Sequence, residues 1–159
     1  MKNMLKVTTP SDREVLMTRV FDAPRALIWD AMTKPDLVKR WLFGPPGWTM
    51  VVCDIELRVG GAYRYVWRNT DGGVMGMGGV HREVIHQERI VCTQLFDEDW
   101  TGGEAVGTLV LTERDDKTTL TNSVLYSSRE ARDAVLRTPM EQGMAVGYDR
   151  LEELLASIK

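Results

Sequence analysis

Residues 139–158 constrain the fold most tightly, because they read as one long amphipathic helix whose apolar stripe has to be covered. At 100° per residue, Met140, Met144, Gly147, Tyr148, Leu151, Leu154, Leu155 and Ile158 fall within an arc roughly 120° wide. Glu141, Gln142, Asp149, Glu152 and Glu153 lie outside that arc. The stripe changes character along its length. Its C-terminal half, Leu151, Leu154, Leu155 and Ile158, suits an ordinary dry core. Its N-terminal half combines Met140, Met144 and Tyr148 with Gly143 and Gly147. Thioethers adapt to irregular space, and each glycine costs about 1 kcal/mol against alanine in a helix interior. Something must offset that cost: either another backbone packs against the glycines, or the space they leave is a cavity.

The surface that covers such a stripe is legible upstream. Period-two patterns separated by turn-forming residues predict strands at about 14–21, 49–57, 62–68, 74–85, 89–96, 105–113 and 118–126. The separators include Gly60-Gly61, Asp71-Gly72-Gly73, His86-Gln87-Glu88 and Asp115-Asp116-Lys117. The pattern of the first strand is too mixed to assign its faces. Two short helices follow it, one with Asp22 as N-cap and Pro24 in its first turn, the other beginning near Pro35 and ending at Gly44-Pro45-Pro46-Gly47. A further short helix spans 128–136. The expected fold is α+β: a curved seven-strand antiparallel sheet wrapped round the long C-terminal helix, with two short helices after strand 1. Gly76, Gly78 and Gly79 suit a strongly bent strand. Residues 1–13 read as an N-terminal tail and 14–158 as a single domain.

A chain of 159 residues, 43% hydrophobic and 27% charged, fits one domain of ordinary globular composition. A net charge of −3 gives no reason to expect a nucleic-acid partner. The longest run without a charge, Trp41 to Cys53, is too short and too rich in glycine and proline for stable membrane insertion. The N-terminal sequence MKNMLKVTTPSDRE has no apolar core of a signal peptide, so the expected localisation is cytoplasmic. Cys53 and Cys92 both lie in apolar strands and read as reduced, buried thiols.

Alternation gives the candidate interior. Tyr63, Tyr65 and Trp67 share one face of their strand, Arg64 and Arg68 the other; Val51, Cys53, Ile55 and Leu57 oppose Asp54, Glu56 and Arg58. In the next strand Met75, Met77, Gly79, His81 and Glu83 share a face, but the opposite face is no more polar, so its direction stays open. With the methionine face inward, His81 becomes a polar group in an apolar cavity, the combination typical of small-molecule sites. Each of these residues also suits a plain core. Trp41, Phe43 and Trp48 bracket the Gly44–Gly47 loop, which reads equally as a plug over the sheet edge or as a gate, and which permits a homodimer without requiring one. The acidic loop 97–104, centred on Trp100, carries no motif.

Catalytic motifs are missing: there is no GxSxG, HExxH, CxxC or phosphate-binding glycine loop, and no cofactor is expected. A metal site would need Cys53, His81, Glu83 and Cys92 to converge from separate strands without the close spacing of zinc ligands, and no metal is expected.

The element order, together with VFDAPRALIWDAMTKPDLVKRW, GPPGWT, CDIELRVGGAYRYVWR, GVHREVIHQERIV, LTERDDKTTLT and SREARDAVLRTPMEQGMAVGYDRLEELL, resembles bacterial homologues of the activator of the heat shock protein 90 ATPase. That family belongs to the START-like, SRPBCC helix-grip superfamily. The resemblance covers about residues 14–158 and implies a deep pocket between sheet and long helix, used across the superfamily for lipids, hormones, polyketides and other apolar molecules. It implies no single activity. This chain has Tyr148 where the family's last helix often has tryptophan, which introduces a phenol at the pocket.

Three readings follow. The first is binding of a small hydrophobic ligand, to carry, sequester or sense it, with Trp41, Phe43, Trp48, Tyr65, Trp67, Met75, Met77, His81, Met140, Met144 and Tyr148 as lining and mouth. Filling the helix gap with Gly147→Leu is then expected to abolish binding in a domain that still folds. The second is an enzyme acting on a hydrophobic polyketide-like or aromatic substrate in the same cavity, with His81 and Glu83, Asp54 or Tyr65 moving a proton. The third is a co-chaperone-like partner that stimulates a chaperone ATPase. It ranks last, because one isolated domain lacks the additional domain of the eukaryotic activators.

Overall fold

The computed structural model describes residues 3–99 and 102–158; Trp100 lies outside them. Chain order is β1 (Lys6–Thr8), β2 (Glu14–Phe21), α1 (Arg25–Thr33), α2 (Pro35–Val38), β3 (Trp48–Ile55), β4 (Ala62–Asn69), β5 (Val74–Ile85), β6 (Arg89–Phe96), β7 (Ala105–Arg114), β8 (Lys117–Leu125), α3 (Arg129–Leu136) and α4 (Met140–Ile158). The strands form one sheet in the order β1-β2-β8-β7-β6-β5-β4-β3, every neighbouring pair antiparallel. The sheet therefore has eight strands rather than the expected seven. The additional one comes from the segment read as a tail: Lys6, Val7 and Thr8 pair with Thr18, Met17 and Leu16. Three residues are too few to show a period.

α1 starts later than expected. Pro24 takes the N-cap position without a side-chain hydrogen bond, and the Arg25 N–H donates instead to Glu113 Oε1 of β7 at 2.7 Å. A carboxylate brought by the sheet thus satisfies a helix-end donor that Asp22 does not reach. Asp22 faces Lys117 at 3.7 Å. α2 does begin with Pro35 in its first turn, and Ser128 caps α3 by accepting from the Ala131 N–H at 3.0 Å.

Two bulges redirect side chains. Between Met50 and Val52 the register of β3 shifts, so Met50 is buried and Val51, expected inward, is 41% exposed. Between His81 and Glu83 the register of β5 shifts as well, at Arg82. Upstream of that bulge Met77 and His81 face the helix; downstream Val84 packs against the core while Glu83 pairs outside with Arg89 at 2.8 Å. Glu83 therefore leaves the face on which strict alternation placed it. The glycines of β5 permit close strand packing: a Cβ at Gly79 would run into the Thr93 carbonyl of β6, and one at Gly78 into the Tyr63 carbonyl of β4.

α4 lies across the concave face, and its two halves meet different surroundings. Leu151, Leu154 and Leu155 join Phe21, Ile28, Trp29, Leu111 and Leu120 in a solid core. Around Met140, Met144 and Gly147 the sheet stands away from the helix. Gly147 is buried, yet apart from its chain neighbours and its own helix backbone no atom lies within 4 Å of a Cβ placed there. Of the two explanations for the glycines, open space is the one realised at Gly147.

Candidate ligand cavity

The space under the N-terminal half of α4 is a cavity of about 470 Å³. Trp41 borders it from the segment after α2, Tyr65 and Trp67 from β4, Met75, Met77 and His81 from β5, and Met140, Met144 and Tyr148 from α4. Phe43 and Trp48 do not. Phe43 lies under the Arg150 guanidinium, 3.9 Å from its ring centroid, and Trp48 packs on a satellite cluster of Val38, Met50, Cys53 and Trp67. Arg150 Nη1 also donates to the Gly44 carbonyl at 2.7 Å. The Gly-Pro-Pro-Gly loop is thus fastened to α4 from outside the cavity.

Small residues on the concave face give the cavity its depth. Ala105 and Gly107 of β7 both border it, and a Cβ at Gly107 would displace the Gln94 carboxamide that lies over it. Sequence reasoning missed these, along with Met17, Cys92, Asn122, Val124 and Tyr126. A signal for Asn122 was present: it alternates with Leu120 and Val124, a polar group in an otherwise apolar inward row.

The polar atoms of the wall divide into used and free. Trp41 Nε1 donates to the Ala31 carbonyl at 2.9 Å, Trp67 Nε1 to the Leu42 carbonyl at 2.8 Å, and the Tyr63 hydroxyl to the Thr93 carbonyl. The phenol of Tyr148, whose direction the sequence left open, is buried beside Asn122, which borders the same cavity. His81 is 5% exposed and its Nδ1 stands 3.0 Å from the Gly61 carbonyl. A carbonyl only accepts, so Nδ1 carries the proton and Nε2 is left as an acceptor. Among the described residues neither His81 Nε2 nor the Tyr65 hydroxyl has a hydrogen-bond partner, although neither atom is sealed from open space. Among the described residues no Asp, Glu, Lys or Arg side chain borders the cavity.

Burial of this wall also sets its electrostatics. Tyr63, Tyr65, Tyr126 and Tyr148 all border the cavity, and they are the only four tyrosines of the chain. Burial pushes the phenols of Tyr126 and Tyr148 up to about 12 and those of Tyr63 and Tyr65 higher still. Burial likewise raises the Cys92 thiol, and lifts that of Cys53 to about 11. The neutral forms are therefore favoured in the folded protein. Unfolded tyrosines ionise near pH 10, so this contribution to stability is complete below pH 10 and is lost as pH rises through 12. Phenolate absorbance near 295 nm should stay absent from the native protein at pH 10.5 and appear together with unfolding. A midpoint near pH 10 in protein that keeps its circular dichroism would show that water reaches these rings.

An eight-stranded antiparallel sheet gripping a long C-terminal helix over an apolar cavity defines the helix-grip class of α+β folds. Within it, the chain belongs to the family described as Activator of Hsp90 ATPase homolog 1-like protein, whose model matches residues 22–156. A crystal structure of a Rhodobacter sphaeroides protein is 34% identical, covers 97% of this chain and 99% of its own, and superposes with a TM-score of 0.92. Protein Ms6760 from Mycobacterium smegmatis is 25% identical over 98% of this chain and 99% of its own, with a TM-score of 0.84. Protein NE0264 from Nitrosomonas europaea, at 23% identity, coverages of 94% and 98% and a TM-score of 0.83, shares the fold. No curated protein matches the chain. Among the described residues no helix is long and apolar enough to cross a membrane.

Proposed function

We propose that this protein binds a small, uncharged, largely apolar molecule in the cavity beneath α4. One observation carries the reading: about 470 Å³ of space is bordered mainly by aromatic, methionine and aliphatic side chains, with a few neutral polar ones and, among the described residues, no Asp, Glu, Lys or Arg. That volume falls within the range of small-molecule pockets, roughly 300–1,000 Å³. Emptying such a space of side chains costs packing energy, and a ligand that restores the contacts recovers it.

The geometry gives less support to catalysis. Of the partners considered for His81, Glu83 is turned to the outer face by the β5 bulge, and Asp54 is exposed on the outer face of β3. Only Tyr65 stays on the cavity side. The test is titration with N-phenyl-1-naphthylamine, a neutral dye whose emission rises in apolar surroundings. Saturable binding with one site per chain is expected, with competition from neutral apolar molecules and little from their carboxylate analogues. Equal competition by the charged analogues would contradict the reading.

A further inference from the structure

We infer that the ligand carries a hydroxyl group which donates a hydrogen bond to His81 Nε2, making His81 the residue that separates alcohols and phenols from their ethers. The inference deepens the cavity reading and rests on it.

Three observations combine. First, the Gly61 carbonyl, 3.0 Å from Nδ1, fixes the ring as the Nδ1–H tautomer, so the free nitrogen can only accept. Gly61 itself is buried and held by the turn before β4, where its N–H donates to the Arg58 carbonyl at 2.9 Å and its carbonyl accepts from the His81 N–H at 2.9 Å. The acceptor that sets the tautomer is therefore rigid. Second, the ring is 5% exposed and packs on Tyr63 with centroids 5.5 Å apart, so it cannot swing out to bulk water. Third, the hydroxyl of the tyrosine it packs on is already engaged: Tyr63 donates to the Thr93 carbonyl. Nε2 is left with no protein donor among the described residues, on a buried ring that borders the cavity. Polar groups shut away from bulk water are almost always satisfied, and an occupant that fills the cavity is the group placed to supply this donor. A ligand O–H supplies it; an ether or hydrocarbon of the same shape leaves the lone pair stranded and loses affinity accordingly.

The test uses a matched pair, 1-naphthol and 1-methoxynaphthalene, each displacing N-phenyl-1-naphthylamine at pH 7.5. The alcohol is expected to bind about tenfold tighter than the ether in the unaltered protein, the effect of one buried hydrogen bond. In His81→Phe the two are expected to bind alike, each affinity being read against the dye constant measured for that variant. Nitrogen-15 spectra of the imidazoles supply a second readout that needs no variant. The chain has two histidines, and His86 is exposed. Naphthol should move the His81 Nε2 resonance while the ether leaves it in place. Equal affinities in the unaltered protein, or a preference that survives in His81→Phe, would overturn the assignment while leaving the cavity reading intact. Failure of the dye and of both naphthalenes to bind would instead remove the cavity reading, and this inference with it.

Discussion

Gly147→Leu is expected to weaken binding of N-phenyl-1-naphthylamine about tenfold rather than abolish it, and Gly147→Trp by about a hundredfold or more, with no loss of thermal stability in the leucine variant. Gly147 sits in the middle of the apolar stripe of α4, between Met144 and Tyr148, which both border the cavity. A Cβ at that position meets no atom within 4 Å, and the stripe residues on either side of it border the cavity, so the added side chain is expected to extend toward the ligand's volume. Tenfold corresponds to about 1.4 kcal/mol, within the 1–3 kcal/mol that overfilling a packed space commonly costs. Folding stability moves the other way. Replacing a helix-interior glycine with leucine gains up to about 1 kcal/mol of propensity, and the side chain fills empty space that otherwise forfeits contacts. Weaker binding with equal or higher Tm is the signature of occupied volume. Unchanged dye affinity in Gly147→Trp would place the binding site elsewhere.

Asp149→Ala is expected to cost about 3 kcal/mol of stability, because it strands a buried cation. Arg19 is 2% exposed on the inner face of β2, its Nη1 donates to Asp149 Oδ1 at 2.9 Å, and its guanidinium stands 4.9 Å from the centroid of the Phe21 ring. Its Nε has no partner among the described residues, so Asp149 is the counter-charge on which the buried guanidinium depends. Asp149 is 37% exposed, which puts the expected cost at the low end of the range for broken buried pairs, about 3–5 kcal/mol. For a domain of this size that is a fall of about 6–12 °C in Tm. Removing the cation together with its partner, as Arg19→Met with Asp149→Ala, should restore most of the loss, since an unbranched apolar chain fits the space beside Phe21 and no charge stays buried. Thermal unfolding followed by circular dichroism measures both. A shift below about 2 °C for the single variant, or a double variant no better than the single, would mean that the pair does not hold α4 to β2.

Arg19 also shows where the sequence was hard to read. β2 alternates cleanly in the structure, with Val15, Met17, Arg19 and Phe21 all buried, but a buried arginine is indistinguishable from a surface one until its partner, 130 residues away, is known. The stripe of α4 was legible because its opposite face is solvated, and the limits of β2 and β5 followed from the turn-forming residues that bound them although their faces stayed unassigned. Even the change from dry core to open space along α4 was written in its methionines and glycines. Bulges were not legible. One inserted residue at Val51 puts Met50 inward and Val51 outward ahead of a correctly read Cys53, one at Arg82 reverses Glu83 and Val84, and nothing in the local composition marks either position. Phe43 and Trp48 were drawn toward the cavity by their apolarity alone, whereas a cation stack and a satellite cluster claim them. The floor of the cavity was missed for the opposite reason: Ala105 and Gly107 contribute by having almost no side chain, and period-two reasoning weighs what is present.

Native mass spectrometry tests the central claim most directly. Protein purified from its own host, and a second sample equilibrated with that organism's neutral organic extract, would be compared with the 18.0 kDa of the bare chain. The expected result is one additional small mass per chain, present in native spectra, lost on unfolding and identified by fragmentation as an uncharged molecule with a hydroxyl group. The bare mass alone in both samples would contradict a ligand-binding role for this cavity.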